Sequence, residues 1–183
     1  LYAKESITPF FDSLGKHSLR FTNAFSTGFR TDQGLGSLLS GIPSMEGLNI
    51  LQKLDKVKQF PSLPATMKAS GKSTSFVYGG DLNFANLSNY LVALGFDTII
   101  GQHDFEKNDI SSDWGVPDHI VAQKAFDVIN QHKTPFFTTW LLLSSHAPFD
   151  VPMPNKYTAS TDNAGKYKSS VAYSDYALSL FFK

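Results

Sequence analysis

Apolar residues recur along this chain with two different spacings, and each spacing predicts a different kind of element. Six stretches repeat apolar side chains every three or four positions, which is typical of helices with one buried face. Proline near the start of several stretches, and glycine after their last apolar residue, fit helix boundaries. Thr8 is expected to cap the first helix. The predicted helices cover residues 8–14, 31–40, 61–69, 84–94, 117–129 and 165–183.

Four shorter stretches instead predict strands. In residues 19–25 apolar side chains alternate with polar ones, as in a half-buried strand. Residues 73–78 and 97–100 are rich in β-branched and aromatic side chains, which favour strands. Residues 135–143 form a near-continuous apolar run, which is expected for a strand covered on both faces. The polar residues 102–113 predict a surface loop.

The predicted strands alternate with helices, and this order predicts an α/β fold with a mainly parallel sheet and helices on both faces. Ligands of such sheets bind beyond the carboxyl ends of the strands. Thr31, Asp81 and His146 each follow the end of a predicted strand. We therefore expect these three residues to share one crevice.

The composition excludes several classes of function. The 183 residues are 42% hydrophobic, which is enough apolar material for the core of one globular domain. The 16 basic and 16 acidic side chains balance, and without a cluster of Lys and Arg the chain does not fit nucleic-acid binding. The lack of cysteine excludes disulfides, thiolate metal sites and cysteine nucleophiles.

Thr31 provides a hydroxyl at the start of the second predicted helix, and this position has two interpretations. Backbone N–H groups and the helix dipole make a helix N-terminus favourable for a phosphate. Alternatively, Thr31 is only the N-cap. The neighbouring Arg30 can clamp a phosphoryl oxygen or pair with Asp32. If Thr31 is a nucleophile, metal coordination is the natural way to activate it, because no base lies beside it in the sequence.

Two further motifs follow predicted strands. Gly79 and Gly80, which precede Asp81, either bring backbone N–H groups close to an anion or simply form a turn. His146 either binds a phosphate and transfers protons or has a structural role. The chain lacks the Gly-x-Ser-x-Gly elbow of α/β hydrolases, the His-Glu-x-x-His zinc motif, the P-loop and the dinucleotide-binding glycine fingerprint.

Four segments, taken in order, resemble a known family. They are residues 8–14 (TPFFDSL), 21–31 (FTNAFSTGFRT), 79–86 (GGDLNFAN) and 143–149 (LSSHAPF). Together they resemble the extracytoplasmic sulfatase-type domain of lipoteichoic acid synthase-like phosphoglycerol transferases. The resemblance implies the alkaline phosphatase superfamily fold and a divalent metal, usually Mn²⁺, with Mg²⁺ or Zn²⁺ as alternatives. It also implies a threonine nucleophile that forms a covalent intermediate with a phosphoglycerol group taken from a lipid.

The resemblance also implies residue roles. Thr31 falls on the nucleophile and metal ligand, and His146 falls on a histidine that binds the substrate phosphate. Substrate contacts are further expected from Arg30 and from the head-group pocket at residues 79–86, which includes Gly79, Gly80, Asp81 and Asn86.

The head-group pocket departs from that of the synthases. Its histidine is replaced by Gly79, and the tryptophan and arginine that grip glycerol phosphate align with Ala85 and Leu87. These replacements leave the identity of the head group open. Asp81 is retained.

The same resemblance implies that residues 1–183 are the central part of one catalytic domain, incomplete at both ends. The other metal ligands are expected outside the chain, so the chain alone is expected to bind Mn²⁺ weakly or not at all and to be inactive. The full-length protein is expected to be a membrane-anchored bacterial enzyme that acts outside the cytoplasm on phospholipid or glycan phosphoesters. The alternatives are a sulfatase, although this chain lacks the Cys/Ser-x-Pro-x-Arg motif, and a glycan- or lipid-binding relative without catalysis.

Overall fold

A computed structural model describes residues 5–133 and 135–182 of the chain, so that Lys183 of the last predicted helix lies outside the described residues. Each predicted helix is present, with its ends within three residues of the predicted ones, and a further short helix lies in a segment without a clear pattern. The helices are α1 (Pro9–Leu14), α2 (Thr31–Ser40), α3 (Leu54–Val57), α4 (Leu63–Ala69), α5 (Leu87–Leu94), α6 (Asp118–Gln131) and α7 (Asn163–Phe181), and short 3₁₀ helices span Ile50–Gln52, Phe84–Asn86, Gln102–Asp104 and Lys107–Asp109.

The strands β1 (Ser73–Tyr78), β2 (Thr98–Ile100) and β3 (Phe136–Leu141) form one parallel sheet in the order β2-β1-β3. At the centre of the sheet, Phe76 of β1 pairs with Ile99 of β2 and with Thr139 of β3. The order of strands and helices along the chain therefore correctly predicted a parallel sheet.

Helices cover both faces of the sheet, as predicted. Successive side chains of β1 point to opposite faces, so they pack against different helices. Phe76 and Tyr78 belong to an apolar cluster with residues of α2 and α5. Val77, between them, packs instead with Val121 and Ala125 of α6. Phe76 and Val77 are fully buried, and burying side chains of this size contributes about 1.5–3 kcal/mol each. The central strand is thus held by two separate cores.

The strand predicted at residues 19–25 is wrong, because these residues have no regular secondary structure. Leu19, Phe21 and Phe25, whose spacing suggested the strand, are 83%, 76% and 90% exposed. A strand needs a neighbour that bonds to its backbone, and among the described residues none pairs with this segment. Alternating polarity alone therefore did not predict a strand correctly here.

The fourth predicted strand, which is β3, is shorter and less buried than its apolar sequence suggested. It covers Phe136–Leu141 rather than residues 135–143, and Phe136 is 45% exposed. Among the described strands it pairs with β1 on one side only. Phe137 and Leu141 pack against one apolar cluster and Trp140 packs against the other, so the prediction that both faces of this strand are covered is confirmed, although its residues are only partly buried.

The N-terminus of α1 is bound by a residue far along the chain. Thr8 lies at the predicted N-cap position, but its side chain makes no capping hydrogen bond. Instead, the backbone N–H groups of Phe10 and Phe11 donate to the carboxylate of Asp175 on α7, at 2.9 and 2.8 Å. Asp175 is only 4% exposed, so its charge is held by these two donors in a place that water barely reaches.

Replacing Asp175 with alanine is expected to lower the free energy of unfolding by about 2 kcal/mol, because it removes two charge-assisted hydrogen bonds and leaves their donors unpaired. Urea unfolding of the purified protein measures this. The exposed Asp55 provides a matched control, since Asp55→Ala loses only a surface contact with Lys56 at 3.9 Å. Equal effects of the two substitutions would contradict the capping role.

Candidate active site

The N-terminus of α2 presents the hydroxyl of Thr31 to solvent. Thr31 is the first residue of this ten-residue helix, and Arg30 is the N-cap. The Gln33 side chain accepts hydrogen bonds from the backbone N–H groups of Phe29 and Arg30, at 3.0 and 3.3 Å. Thr31 is exposed, and its hydroxyl forms no hydrogen bond with any described residue. The capping interpretation of Thr31 is therefore wrong, and the hydroxyl is available for other chemistry.

Arg30 pairs with Asp32, which was one of its two expected interactions. Its Nε and Nη2 atoms donate to the two carboxylate oxygens of Asp32 at 3.2 and 2.8 Å. The hydrogen bond from Arg30 holds the pKa of the Asp32 carboxyl below its ordinary value, against the opposing effect of partial burial. The side chain of Arg30 is 58% exposed, so its remaining N–H groups still face solvent beside Thr31.

His146 follows β3 and has one ring nitrogen bound to the backbone. Its Nδ1 atom lies 2.7 Å from the carbonyl oxygen of Leu143. Because a carbonyl can only accept a hydrogen bond, this contact assigns a proton to Nδ1. In the neutral ring Nε2 then carries the lone pair, and in the cationic ring both nitrogens donate. Nε2 is thus the atom of His146 that is left to act on a ligand.

Two aromatic side chains stand beside this histidine. The Trp114 ring lies 4.8 Å from the His146 ring, and Phe84 contacts Trp114 edge-on at 6.2 Å. The indole N–H of Trp114 donates to the carbonyl oxygen of Ala147 at 2.7 Å. Trp114 therefore offers its ring, and not its polar N–H, to a neighbouring molecule.

These residues line one cavity of about 430 Å³, together with Asp81. The prediction that Thr31, Asp81 and His146 share one crevice is confirmed. Most of the other lining residues are apolar. The complete lining is Phe29, Arg30, Thr31, Asp32, Leu35, Leu51, Tyr78, Asp81, Phe84, Ala85, Leu87, Trp114, Leu141 and His146.

Asp81 is oriented by its own loop. Its carboxylate accepts from the backbone N–H of Asn83 at 2.9 Å and from the Asn83 side-chain amide at 3.0 Å. Such local hydrogen bonds fix a short acidic side chain in a turn. The ion pairs among the described residues do not include Asp81, so its charge remains available to a ligand in the cavity.

The two glycines before Asp81 lie behind the cavity rather than on its wall. A Cβ atom on Gly79 would lie 2.4 Å from the carbonyl oxygen of Val116, and one on Gly80 would meet the ring of Tyr78 at 2.5 Å. Close backbone packing at the end of β1 is therefore one reason for glycine here. A histidine at position 79 would have no room in this backbone arrangement.

Asn86, the remaining predicted head-group residue, is bound within the protein. Its side-chain amide donates to the carbonyl oxygen of Leu51 at 2.7 Å, and its side-chain oxygen accepts from Asn89 at 2.7 Å. It does not line the cavity. Its contacts join the start of α5 to the 3₁₀ helix at Ile50–Gln52.

Tyr78 lines the cavity from the end of β1. It is 8% exposed, and burial, followed by the negative charges of Asp118 and Asp81, raises the pKa of its phenol to about 12. The phenol therefore stays neutral well above physiological pH.

The described residues do not by themselves fit a divalent metal. Within residues 5–133 and 135–182, no three or more His, Asp or Glu side chains are grouped so that they could hold an ion. Asp32, the carboxylate beside Thr31, is already bonded to Arg30 through both oxygens.

The sequence did not predict every part of the cavity wall. Leu51 and Trp114 come from a short helix and a loop, and no repeat or motif relates them to the predicted site residues. Trp114 stands next to a glycine in a polar segment, a pattern that is typical of loop packing and does not indicate a binding site. Asp118 lies at the start of a predicted helix, where an acidic residue is typical of helix capping.

A model of the protein family described as Sulfatase matches residues 1–183. The chain belongs to the sulfatase family. Two curated relatives of this sulfatase-family chain are bacterial. The lipoteichoic acid synthase-like protein YvgJ of Bacillus subtilis is 25% identical over 98% of the chain and 30% of its own length. Phosphoglycerol transferase I of Xanthomonas axonopodis is 26% identical over 64% of the chain and 18% of its own length. The chain thus spans less than a third of each relative.

A solved structure places the sulfatase-family chain among known folds. The structure of a protein in the alkaline phosphatase superfamily from Vibrio parahaemolyticus matches with a TM-score of 0.84 and 29% identity, over 96% of the chain and 44% of that protein. The alkaline phosphatase-like α/β fold predicted from the sequence is confirmed, as is the resemblance to lipoteichoic acid synthase-like phosphoglycerol transferases.

Proposed function

We propose that the chain carries the attacking group of a metal-dependent enzyme that cleaves phosphoesters. The enzyme transfers a phospho-alcohol head group, such as phosphoglycerol, to a glycan or lipid acceptor or to water. One observation carries this proposal: the free hydroxyl of Thr31 and the ring of His146 line the same cavity in a sulfatase-family chain. The relationship to phosphoglycerol transferase I supports a phospho-alcohol substrate.

Thr31 acts as the nucleophile in this proposal. Its Oγ1 loses its proton to water and forms a bond to phosphorus while the bond from phosphorus to the lipid alcohol breaks, and the departing alkoxide takes up a proton from His146 or from water. In the second step the hydroxyl of the acceptor, or water, attacks phosphorus and loses its proton as the bond to Thr31 breaks, and the Thr31 oxygen takes up a proton again. The exposed position of Thr31, without a hydrogen-bond partner among the described residues, leaves its oxygen free for attack.

Two groups stabilise the charge of the phosphoryl group. The N-terminus of α2 directs the positive end of its dipole toward the oxygens of a phosphoryl group bound to Thr31. His146, when protonated at Nε2, donates to a phosphate oxygen from the same cavity, because its Nδ1 is held by Leu143. Arg30 adds a further positive charge, although Asp32 binds two of its donors.

The apolar lining contacts the organic part of the substrate. Phe84 and Trp114 present ring surfaces, and Leu87, which by the resemblance aligns with the arginine that grips glycerol phosphate in the synthases, also lines the cavity. Asp81 is the polar group that remains to receive a hydroxyl of the head group. Because donors are few on this wall, the cavity fits a phospho-alcohol but does not single out glycerol.

We propose that the metal dependence and the cellular location of the enzyme are properties of the whole protein. Sulfatase-family relatives support a divalent metal, with Mn²⁺ as the first choice, and Thr31 as one ligand. The other ligands are proposed to come from the rest of the protein, since the described residues lack a suitable group. The full-length protein is proposed to be membrane-anchored and to act outside the cytoplasm. Among the described residues, no helix is long and apolar enough to span a bilayer.

The proposal is tested with the full-length protein, Mn²⁺ and three substrates: a phosphoglycerol lipid, an aryl phosphate ester and an aryl sulfate ester. We expect turnover of both phosphoesters that is lost with a chelator and restored by Mn²⁺, and turnover of the sulfate at least about a hundredfold slower. Mass spectrometry of the products separates transfer from hydrolysis.

The same assay decides between the alternatives. Faster turnover of the sulfate would make the protein a sulfatase and would overturn the proposal. Binding of the lipid without turnover of any ester would favour a relative that has lost catalysis. The lack of a Cys/Ser-x-Pro-x-Arg motif, with Thr31 at the helix start instead, is the feature that argues against sulfate esters.

A further inference from the structure

We infer that Asp118 and Trp114 are positioning residues, which hold the His146 ring so that Nε2 is free to meet the substrate phosphate. This inference rests on the function proposed above, in which His146 binds phosphate. It concerns a buried carboxylate that the proposed chemistry does not otherwise use, and a loop tryptophan whose ring was assigned above only to substrate contact.

Asp118 is a fully buried carboxylate whose hydrogen bonds go to another element. It is the first residue of α6, where an acidic residue usually interacts with its own helix. Its two oxygens instead accept from the backbone N–H groups of Leu143 and Ser144, at 2.8 and 2.9 Å. Asp118 is 0% exposed. A carboxylate with both oxygens used in this way fixes the backbone that receives it.

The backbone fixed by Asp118 is the one that holds His146. Leu143 donates its N–H to Asp118 and accepts the Nδ1 proton of His146 through its carbonyl oxygen, at 2.7 Å. The same residue therefore joins the buried carboxylate to the imidazole. If the peptide units around Leu143 rotate, the carbonyl moves away from Nδ1, and the ring loses the contact that determines which nitrogen faces the cavity.

Burial destabilises the charged form of the Asp118 carboxylate, which argues that its hydrogen-bond geometry has a role. Desolvation raises the pKa of the Asp118 carboxyl, while the hydrogen bonds from Ser144 and Leu143 act in the opposite direction. A buried carboxylate is tolerated only when its lone pairs are satisfied. Here the donors all come from the segment that leads to His146.

Trp114 holds the same segment from the cavity side. Its indole N–H donates at 2.7 Å to the carbonyl oxygen of Ala147, the residue after His146. Its ring lies 4.8 Å from the imidazole at an angle of 34°. Asp118 thus fixes the backbone before His146 and Trp114 fixes the backbone after it, so the imidazole is held on both sides.

A double-mutant cycle in the full-length protein tests this inference, with the aryl phosphate ester as the probe. The variants are Asp118→Asn, His146→Gln and their combination. We expect Asp118→Asn alone to lower kcat/KM by on the order of tenfold, mainly through KM, because a displaced phosphate ligand binds substrate less well. In the His146→Gln background the same change is expected to cost less than about twofold, since the group through which it acts is already absent.

Asp127, an exposed aspartate on the same helix, provides the matched control. Asp127→Asn removes only the charge of a surface side chain that accepts a hydrogen bond from Gln123, and it is expected to leave kcat/KM unchanged. A loss from Asp118→Asn that is equally large with and without His146 would overturn the inference, because it would show a general effect on the fold.

The ring of His146 gives a readout that is independent of activity. Nitrogen NMR of the protein labelled in its imidazole rings shows which ring nitrogen carries the proton. We expect Nδ1 to be protonated in the neutral ring of the wild type and in Asp127→Asn, and a mixture of the two forms in Asp118→Asn. An unchanged ring in Asp118→Asn would overturn the inference.

Trp114→Phe covers the case in which Asp118→Asn does not fold. It keeps a ring beside His146 but removes the hydrogen bond to Ala147, so it is expected to shift the NMR signals in the same direction. If His146→Gln leaves turnover unchanged, the proposed phosphate role of His146 fails. The NMR comparison still decides whether Asp118 and Trp114 hold the ring.

Discussion

Thr31→Val in the full-length protein is expected to reduce phosphoester turnover by at least on the order of 10⁴-fold, because valine keeps the shape of threonine but has no oxygen to attack phosphorus. The loss is expected in kcat, since the apolar cavity and His146 remain available to bind substrate. Single-turnover kinetics with an aryl phosphate ester measure the chemical step directly. Mass spectrometry of trapped wild-type enzyme is expected to show a phosphoryl adduct on the peptide that contains Thr31.

Thr31→Ser is the matched variant, because it keeps the hydroxyl and removes only a methyl group. It is expected to retain measurable turnover and to form the same adduct. Thr31 is exposed and its hydroxyl has no partner among the described residues, so both substitutions are expected to change the free energy of unfolding by less than about 0.5 kcal/mol. Turnover by Thr31→Val close to that of the wild type would exclude Thr31 as the nucleophile.

Gly79→Ala is expected to lower the free energy of unfolding by about 3 kcal/mol, because the added methyl group has no room. Its Cβ would lie 2.4 Å from the carbonyl oxygen of Val116 and 2.8 Å from a methyl group of Val121. Both valines are fully buried, and the N–H of Val116 is bonded to the carbonyl of Gly79 at 2.9 Å. The surroundings therefore have little freedom to move away.

Gly34 provides a matched control, because a methyl group added there has room. It lies within α2, and a Cβ atom there would meet nothing within 4 Å. Gly34→Ala is therefore expected to raise the free energy of unfolding by up to about 1 kcal/mol, through helix propensity. Urea unfolding of both variants measures the difference. If Gly79→Ala were as stable as Gly34→Ala, the close backbone approach at the end of β1 would be contradicted.

The sequence predicted those parts of the fold that depend on local periodicity. The helices followed from apolar spacing, and the crevice followed from a general property of parallel sheets, whose strand ends meet at one edge. Asp81 and His146 follow β1 and β3, which pair side by side, so their proximity could be predicted without knowing any contact. Thr31 reaches the same cavity although the strand predicted before it is absent.

The sequence could not predict features that depend on which distant backbones meet. Asp175 caps a helix that lies 165 residues earlier in the chain, while Thr8, the local candidate, does not. Asp118 bonds to Leu143 across 25 residues, and its position at the start of a helix suggested a local role. A buried carboxylate gives no pattern in sequence, because its partners are main-chain N–H groups that every residue except proline carries.

The phenol of Tyr78 limits how protons move within the cavity. Burial raises the pKa of this phenol to about 12, so it keeps its hydrogen near neutral pH and can donate a hydrogen bond to an oxygen of a ligand, but it is not present as a phenolate that could act as a base. Tyr78 is therefore a neutral hydrogen-bond donor at the end of the central strand. The pH profile of turnover near neutral pH should contain no contribution from the ionisation of this tyrosine.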